Sequence, residues 1–159
     1  SYFFFPSTVC LAIPLYKQLE LLKKNLTAVA AAITAGVIGS VVSVYVMSMI
    51  FRLEHVHYVS LLPKSITTAI GMGVSEEAGG IVTMTIVSII LTGILGNIVK
   101  LVGIKEPIAK GLALGTSAHA IGTAKALELG EVEGAMSSLS IAVAGLMTVV
   151  AVPIMSGLL

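Results

Sequence analysis

Apolar and polar positions divide this chain into three long apolar runs separated by three mixed segments. "NLTAVAAAITAGVIGSVVSVYVMSMIF", Asn25 to Phe51, carries no charge; "IVTMTIVSIILTGILGNIV", Ile81 to Val99, runs up to Lys100; "AMSSLSIAVAGLMTVVAVPIMSGLL", Ala135 to Leu159, holds Pro153 near its far end. A membrane-spanning helix needs roughly 20 apolar residues, and each run is long enough. All three are rich in Gly, Ala, Ser and Thr. Such residues let helices approach closely in lipid, where packing rather than the hydrophobic effect holds a bundle together. The runs predict bundle helices rather than a lone anchor.

The mixed segments are "PSTVCLAIPLYKQLELLKKN", "LLPKSITTAIGMGVSEEAGG" and "KGLALGTSAHAIGTAKALELGEVEGA". Each is apolar enough to enter a bilayer and too broken to cross it as a clean helix. Irregular backbone at membrane depth survives only when buried in protein or lining a wet cavity. They predict re-entrant or half-helical segments; amphipathic surface loops are the plainer alternative. A repeat supports the first reading. Ala12-Ile13 leads to Glu20, Ala69-Ile70 to Glu77 and Ala120-Ile121 to Glu128, and each following run holds an interior glycine: Gly36, Gly93, Gly145. The first two copies align without a gap at an offset of 57, which pairs Pro6 with Pro63 and Gly39 with Gly96. One re-entrant segment plus one crossing reverses the chain each time, so successive copies have inverted topology, as in many secondary transporters. The expected fold is an all-α polytopic membrane protein, with repeated units of re-entrant or broken helix plus transmembrane helix in inverted topology. Residues 1–159 form a single membrane domain on this reading. The chain begins at Ser1 inside an apolar run, without the charged start and cleavage site of a signal peptide. Further transmembrane segments are expected before it.

Composition agrees: 57% of residues are hydrophobic and 11% charged, with mean hydropathy +1.07. Soluble domains are about a quarter charged, and a surplus this large exceeds what a soluble chain can bury. The net charge of +1 gives no sign of a nucleic-acid partner, and the single Cys10 excludes an internal disulfide and a Cys-rich metal site. No metal or cofactor is expected. Lys17, Lys23 and Lys24 precede the first run and Lys100 and Lys105 follow the second, whereas Arg52 stands with His55 and His57 between them. The positive-inside rule puts the lysine-rich segments in the cytoplasm. Residues 53–80 then enter and leave on the outside, and residues 105–134 on the inside.

The candidate chemistry lies in the mixed segments. If Lys110 to Glu128 is helical, Gly111, Gly115, Ala118 and Gly122 form one small-residue stripe, beside a polar stripe of Thr116, His119 and Thr123. The middle segment offers Ser65, Thr67 and Thr68. Two such tips meeting from opposite sides would form a small polar chamber, and half-helix N-termini aimed at it would suit a carboxylate. Ser117 belongs to the same candidate binding set. The alternative for His119 is a hydrogen bond made for packing; an ionisable residue in a membrane segment otherwise marks function. Lys64 and Lys125 could snorkel to an interface. Glu20, Glu77 and Glu128 are candidate proton sites or helix-start caps. The run Gly115-Thr116-Ser117-Ala118-His119 departs from a Gly-x-Ser-x-Gly elbow at its last position, and no enzyme activity is expected.

"GLALGTSAHAIGTAKALELGEVEGAMSSLSIAVAG" closely resembles the most characteristic block of the LrgB/CidB family of bacterial membrane proteins. "SLLPKSITTAIGMGVSEEAGG" and "PSTVCLAIPLYKQLELLKKN" resemble two further family blocks, so the similarity runs over essentially the whole chain. The resemblance implies a multi-pass protein of the bacterial plasma membrane, longer than this chain at its N-terminal side. Family members are named antiholin-like regulators of murein hydrolase activity and autolysis, working with small LrgA/CidA-type partners. Plant relatives look like glycolate/glycerate translocators, and some bacterial members are linked to pyruvate. The expected function is transport of a small monocarboxylate of the glycolate, glycerate, pyruvate or lactate class, by a homo-oligomer in the lipid bilayer. The alternative is an antiholin-like regulator with no substrate of its own.

Overall fold

The computed structural model of the chain describes residues 13, 14, 16–96 and 103–159. Pro6, Cys10, Ala12 and Lys100, which carry parts of the repeat and charge readings, lie outside the described residues. Among the described residues the elements are α1 (Leu19–Lys24), α2 (Leu26–Phe51), α3 (His55–Leu61), α4 (Thr68–Glu77), α5 (Val82–Gly96), α6 (Pro107–Leu129) and α7 (Glu131–Ser156), with no strand.

Two of these, α2 and α7, are long and apolar enough to cross a membrane. The third expected span is shorter: α5 has 15 residues, and Asn97 to Val99 lie outside the described residues. α7 begins at Glu131, four residues before the apolar run, because Glu131 and Glu133 favour the positive end of the helix dipole. Within α2 the buried positions Val29, Ile33, Val37, Val41, Val44 and Ser48 recur at every third or fourth residue and make one stripe. Off that stripe Ile38 and Ile50 are 56% and 65% exposed. A helix apolar all round but covered along a single stripe suits lipid on its other faces. Arg52, at φ 50°, ends α2 in the left-handed conformation common after a helix, and the Leu53 N–H bonds the Ser48 carbonyl at 2.9 Å.

The two mixed segments after α2 both form hairpins. α3 descends to residues 62–67 and α4 returns: Thr85 Oγ1 lies 2.8 Å from the Ser60 carbonyl and 2.7 Å from Ser75 Oγ, so α5 clasps both arms. In α6 the arms are residues 107–118 and 120–129, and they break at His119. A Cβ at Gly122 would lie 2.5 Å from the Leu114 carbonyl oxygen, which places the second arm back against the first. The residue stripes drawn by treating Lys110 to Glu128 as one helix are therefore corrected. Glu106 starts α6, its carboxylate accepting the Ala109 N–H at 2.7 Å, with Pro107 in the first turn where its missing N–H costs nothing.

The ends of the elements are fixed by polar contacts. Lys17 pairs with Glu131 at 3.4 Å, joining the chain before α2 to the start of α7. At the other end His55 Nε2 lies 3.0 Å from the Ser156 carbonyl, and the Tyr58 hydroxyl donates to the Met155 carbonyl at 2.9 Å. Tyr58 also meets Tyr45 edge-on at 6.1 Å between centroids, which ties α3 to both α2 and α7.

Candidate functional site

The tip of α6 is held in an uncommon backbone conformation. His119 has φ 42° and ψ −134°, and among the described non-glycine residues only Arg52 shares its positive φ. Such a conformation costs on the order of 1–3 kcal/mol and persists only where surroundings enforce it. Here α5 enforces it. A Cβ at Gly93 would lie 2.9 Å from two atoms of the His119 ring, so the missing side chain opens a slot for the imidazole. Inside the slot Nε2 lies 2.8 Å from the Ile89 carbonyl. A carbonyl only accepts, so the ring carries its hydrogen on Nε2. His119 is 3% exposed, and a Cβ on Gly96 would overlap Ala118 beside it.

The polar residues around this tip fan out to three helices instead of forming the expected stripe. Thr116 packs on α2, where a Cβ at Gly36 would lie 3.1 Å from it; its hydroxyl donates to the Leu112 carbonyl at 2.7 Å. His119 faces α5. Thr123 Oγ1 lies 2.7 Å from Ser137 Oγ on α7, both fully buried. Ser117 donates to the Ala113 carbonyl at 2.6 Å. The break at His119 rotates the second arm, which explains the difference. Gly111 and Gly115 do lie together: side chains there would collide with Glu133 and Met136, and with Ser137 and Ser140, of α7. Gly122 instead faces its own first arm.

At the other tip Ser65 is buried and its hydroxyl lies 2.9 Å from Ser40 Oγ on α2. Lys64 Nζ donates to both hydroxyls at 3.3 Å. Thr67 is the extended residue before α4 and Thr68 its first helical residue, with no side-chain cap on the free N–H groups. Ile70 reaches the middle of α7, where a Cβ at Gly145 would lie 3.4 Å from its Cδ1. The two tips thus touch α2 at Gly36 and Ser40, one helical turn apart.

Cavities lead to these contacts from the two ends of α2. The larger, of about 460 Å³, runs between α2 and the first arm of α6, from Asn25 and Glu106 past Ala32 and Leu112 to Thr116. The smaller, of about 180 Å³, lies between α2 and the α3 hairpin, from Leu53 and Ser48 to Lys64. Sequence reasoning left Ser40, Ser48 and Gly36 out of the site, since small residues in an apolar run read as packing.

The carboxylates stand at the periphery. Glu20 is exposed in the first turn of α1. Glu77 is the last residue of α4, and Glu128, bonded to Lys125, lies in the last turn of α6. Neither caps the following helix: α5 has no acidic residue in its first turn, and α7 uses Glu131 and Glu133. The helix-start role therefore passes to Glu106, Glu131 and Glu133. Glu133 is buried and pairs with Lys110 at 3.5 Å. Among the described residues no cluster of His, Cys or Glu could hold a metal ion.

A family model described as the LrgB-like family matches residues 1–158. A similar protein is the "Antiholin-like protein LrgB" of Bacillus mycoides, 44% identical over 158 residues, which cover 96% of this chain and 69% of that protein. Proteins of the same name from Bacillus cereus and Bacillus anthracis are 43% identical with the same coverage. No solved structure matches the chain.

Proposed function

Because this chain belongs to the LrgB-like family of antiholin-like membrane proteins, we propose that it acts as a multi-pass transporter of a small monocarboxylate, of the glycolate, glycerate, pyruvate or lactate class. The observation that carries this reading is the meeting of two hairpin tips on one turn of α2, with a cavity approaching from each side. In this reading α3, α4 and α5 form one unit, and α6 and α7 form its inverted copy. Each unit is a re-entrant hairpin followed by a crossing helix. The substrate passes between the tips near the membrane midplane, where irregular backbone lines a cavity. In this reading Thr116 lines one approach, Ser65, Thr67, Thr68 and Ser117 supply polar groups at the two tips, and His119 and Thr123 hold the second tip. The end bearing Lys17, Lys23, Lys24 and Lys105 faces the cytoplasm of a bacterial cell. No catalytic step is assigned to any residue.

The test is uptake of labelled glycolate, lactate and pyruvate into proteoliposomes. Saturable uptake above empty vesicles supports transport; none by folded protein for any of the acids overturns it.

The second reading is an antiholin-like regulator without a substrate, acting with an LrgA/CidA-type partner or with further copies of itself. The name carried by the similar Bacillus proteins favours it. It predicts variants that alter lysis in cells and leave every flux unchanged.

A further inference from the structure

We propose that the Lys64 ammonium, held by Ser40 and Ser65 at the inner end of the cavity that opens toward Leu53, binds the substrate carboxylate. This inference rests on the transport reading and names the anion-recognising group within it.

Depth is the first argument. Ser40 stands 14 residues from Leu26 and 11 from Phe51, which is about 21 and 16 Å along the helix axis. Lys64 Nζ is 3.3 Å from Ser40 Oγ, so its charge lies near the middle of α2. A lysine with that partner does not snorkel to an interface, which corrects the expectation for this residue.

Lack of a counter-ion is the second argument. The ion pairs among the described residues join Lys17 to Glu131, His57 to Glu54, Lys110 to Glu133 and Lys125 to Glu128; none includes Lys64. A desolvated cation without an anion is costly, and burial selects for a partner.

Donor accounting is the third. An ammonium has three hydrogens and each serine hydroxyl has one. Two ammonium hydrogens go to Ser40 and Ser65, and one hydroxyl hydrogen joins the serines. One N–H and one O–H remain in this triangle, which matches the two oxygens of a carboxylate.

The cavity runs along a mostly apolar wall that includes Lys64. Ser48 lines it, is 1% exposed, and its hydroxyl has no hydrogen-bond partner. Buried hydroxyls in helices ordinarily return to a backbone carbonyl, as Thr148 does with Ala144. Ser48 lies two turns from Ser40 toward Leu53.

The experiment measures equilibrium binding of labelled glycolate to the purified full-length protein in detergent, with unlabelled pyruvate, glycolamide and chloride as competitors. Displacement by pyruvate and not by neutral glycolamide is expected. Lys64→Gln and Lys64→Met should weaken glycolate binding roughly tenfold to a hundredfold, with unfolding temperature unchanged or raised, since an apolar replacement of a buried charge is often neutral or stabilising. Ser40→Ala should give a smaller loss. Glycolate binding that persists unchanged in a folded Lys64→Gln protein overturns the proposal, as does glycolamide competing as well as pyruvate. The two claims separate cleanly. Lys64-dependent binding without uptake in proteoliposomes would remove transport and keep this site. Uptake that is indifferent to Lys64 would keep transport and remove the site.

Discussion

His119 donates a hydrogen bond from Nε2 to the Ile89 carbonyl at 2.8 Å, through a gap that exists because residue 93 is glycine. The bond joins the tip of one hairpin to the helix that follows the other, and it holds a backbone conformation the residue would otherwise avoid. His119→Ala should therefore destabilise the protein by about 1–3 kcal/mol, through the lost bond and the emptied slot. His119→Gly loses the same ring but relieves the positive φ, so it should recover on the order of 1 kcal/mol of that loss. Unfolding of the three proteins in one detergent gives the order wild type, Gly, Ala. Equal stability of the two variants would mean the tip is not strained.

Gly93 should be coupled to His119. Gly93→Ala pushes a methyl into the imidazole and should cost about 1–3 kcal/mol, as overpacking does. In the His119→Ala background the methyl is freed of the ring and meets only the flexible end of Ile121, whose Cδ1 lies 2.7 Å from that Cβ, so the cost should fall by more than half. A double-mutant cycle reads this directly; a coupling below about 0.5 kcal/mol would show that the two sites act independently.

The larger cavity makes a separate prediction for uptake. Ala32→Trp or Ala113→Trp fills the space between α2 and the first arm of α6. Either should reduce proteoliposome uptake at least tenfold while the protein remains folded. Ile50→Trp, at a 65% exposed position of α2, serves as the control and should leave uptake intact. Equal loss in all three would place the effect in the helix and not in the cavity.

Topology can be mapped with thiols, after Cys10 is replaced. Cysteines at Lys23 and Lys105 should resist an impermeant reagent added outside intact cells, and a cysteine at Arg52 should react. Labelling of all three from outside would contradict the inverted arrangement of the two hairpins.

Much of the helical order was legible because it depends on composition. The uncharged run from Asn25 to Phe51 could only be a helix facing apolar surroundings, and it is α2 almost residue for residue. The broken character of the segments around Ser65 and His119 was visible as small and polar residues where a spanning helix would have Leu and Val. The place of the break was not. No sequence rule puts a histidine at a positive φ, because the conformation is imposed by Gly93 and Ile89, 26 and 30 residues earlier. That single residue turns the second arm, so the stripe of Thr116, His119 and Thr123 was drawn on a helix that does not continue. Lys64 was misplaced for a similar reason: its depth is set by a serine on another helix. The helix-start alternative for Glu77 failed because α4 ends on it and leaves residues 78–81 before α5 begins.

Gly36 and Ser40 are the positions where the two tips rest on α2. Four residues separate them, about 6 Å along the helix. Gly36 is a notch that admits Thr116; Ser40 is a peg that holds Ser65. A slide of α2 by one turn, about 5.4 Å, would carry the peg to the place of the notch and disengage both. Under the transport reading α2 behaves as an indexed piston with two stops, one helical turn apart.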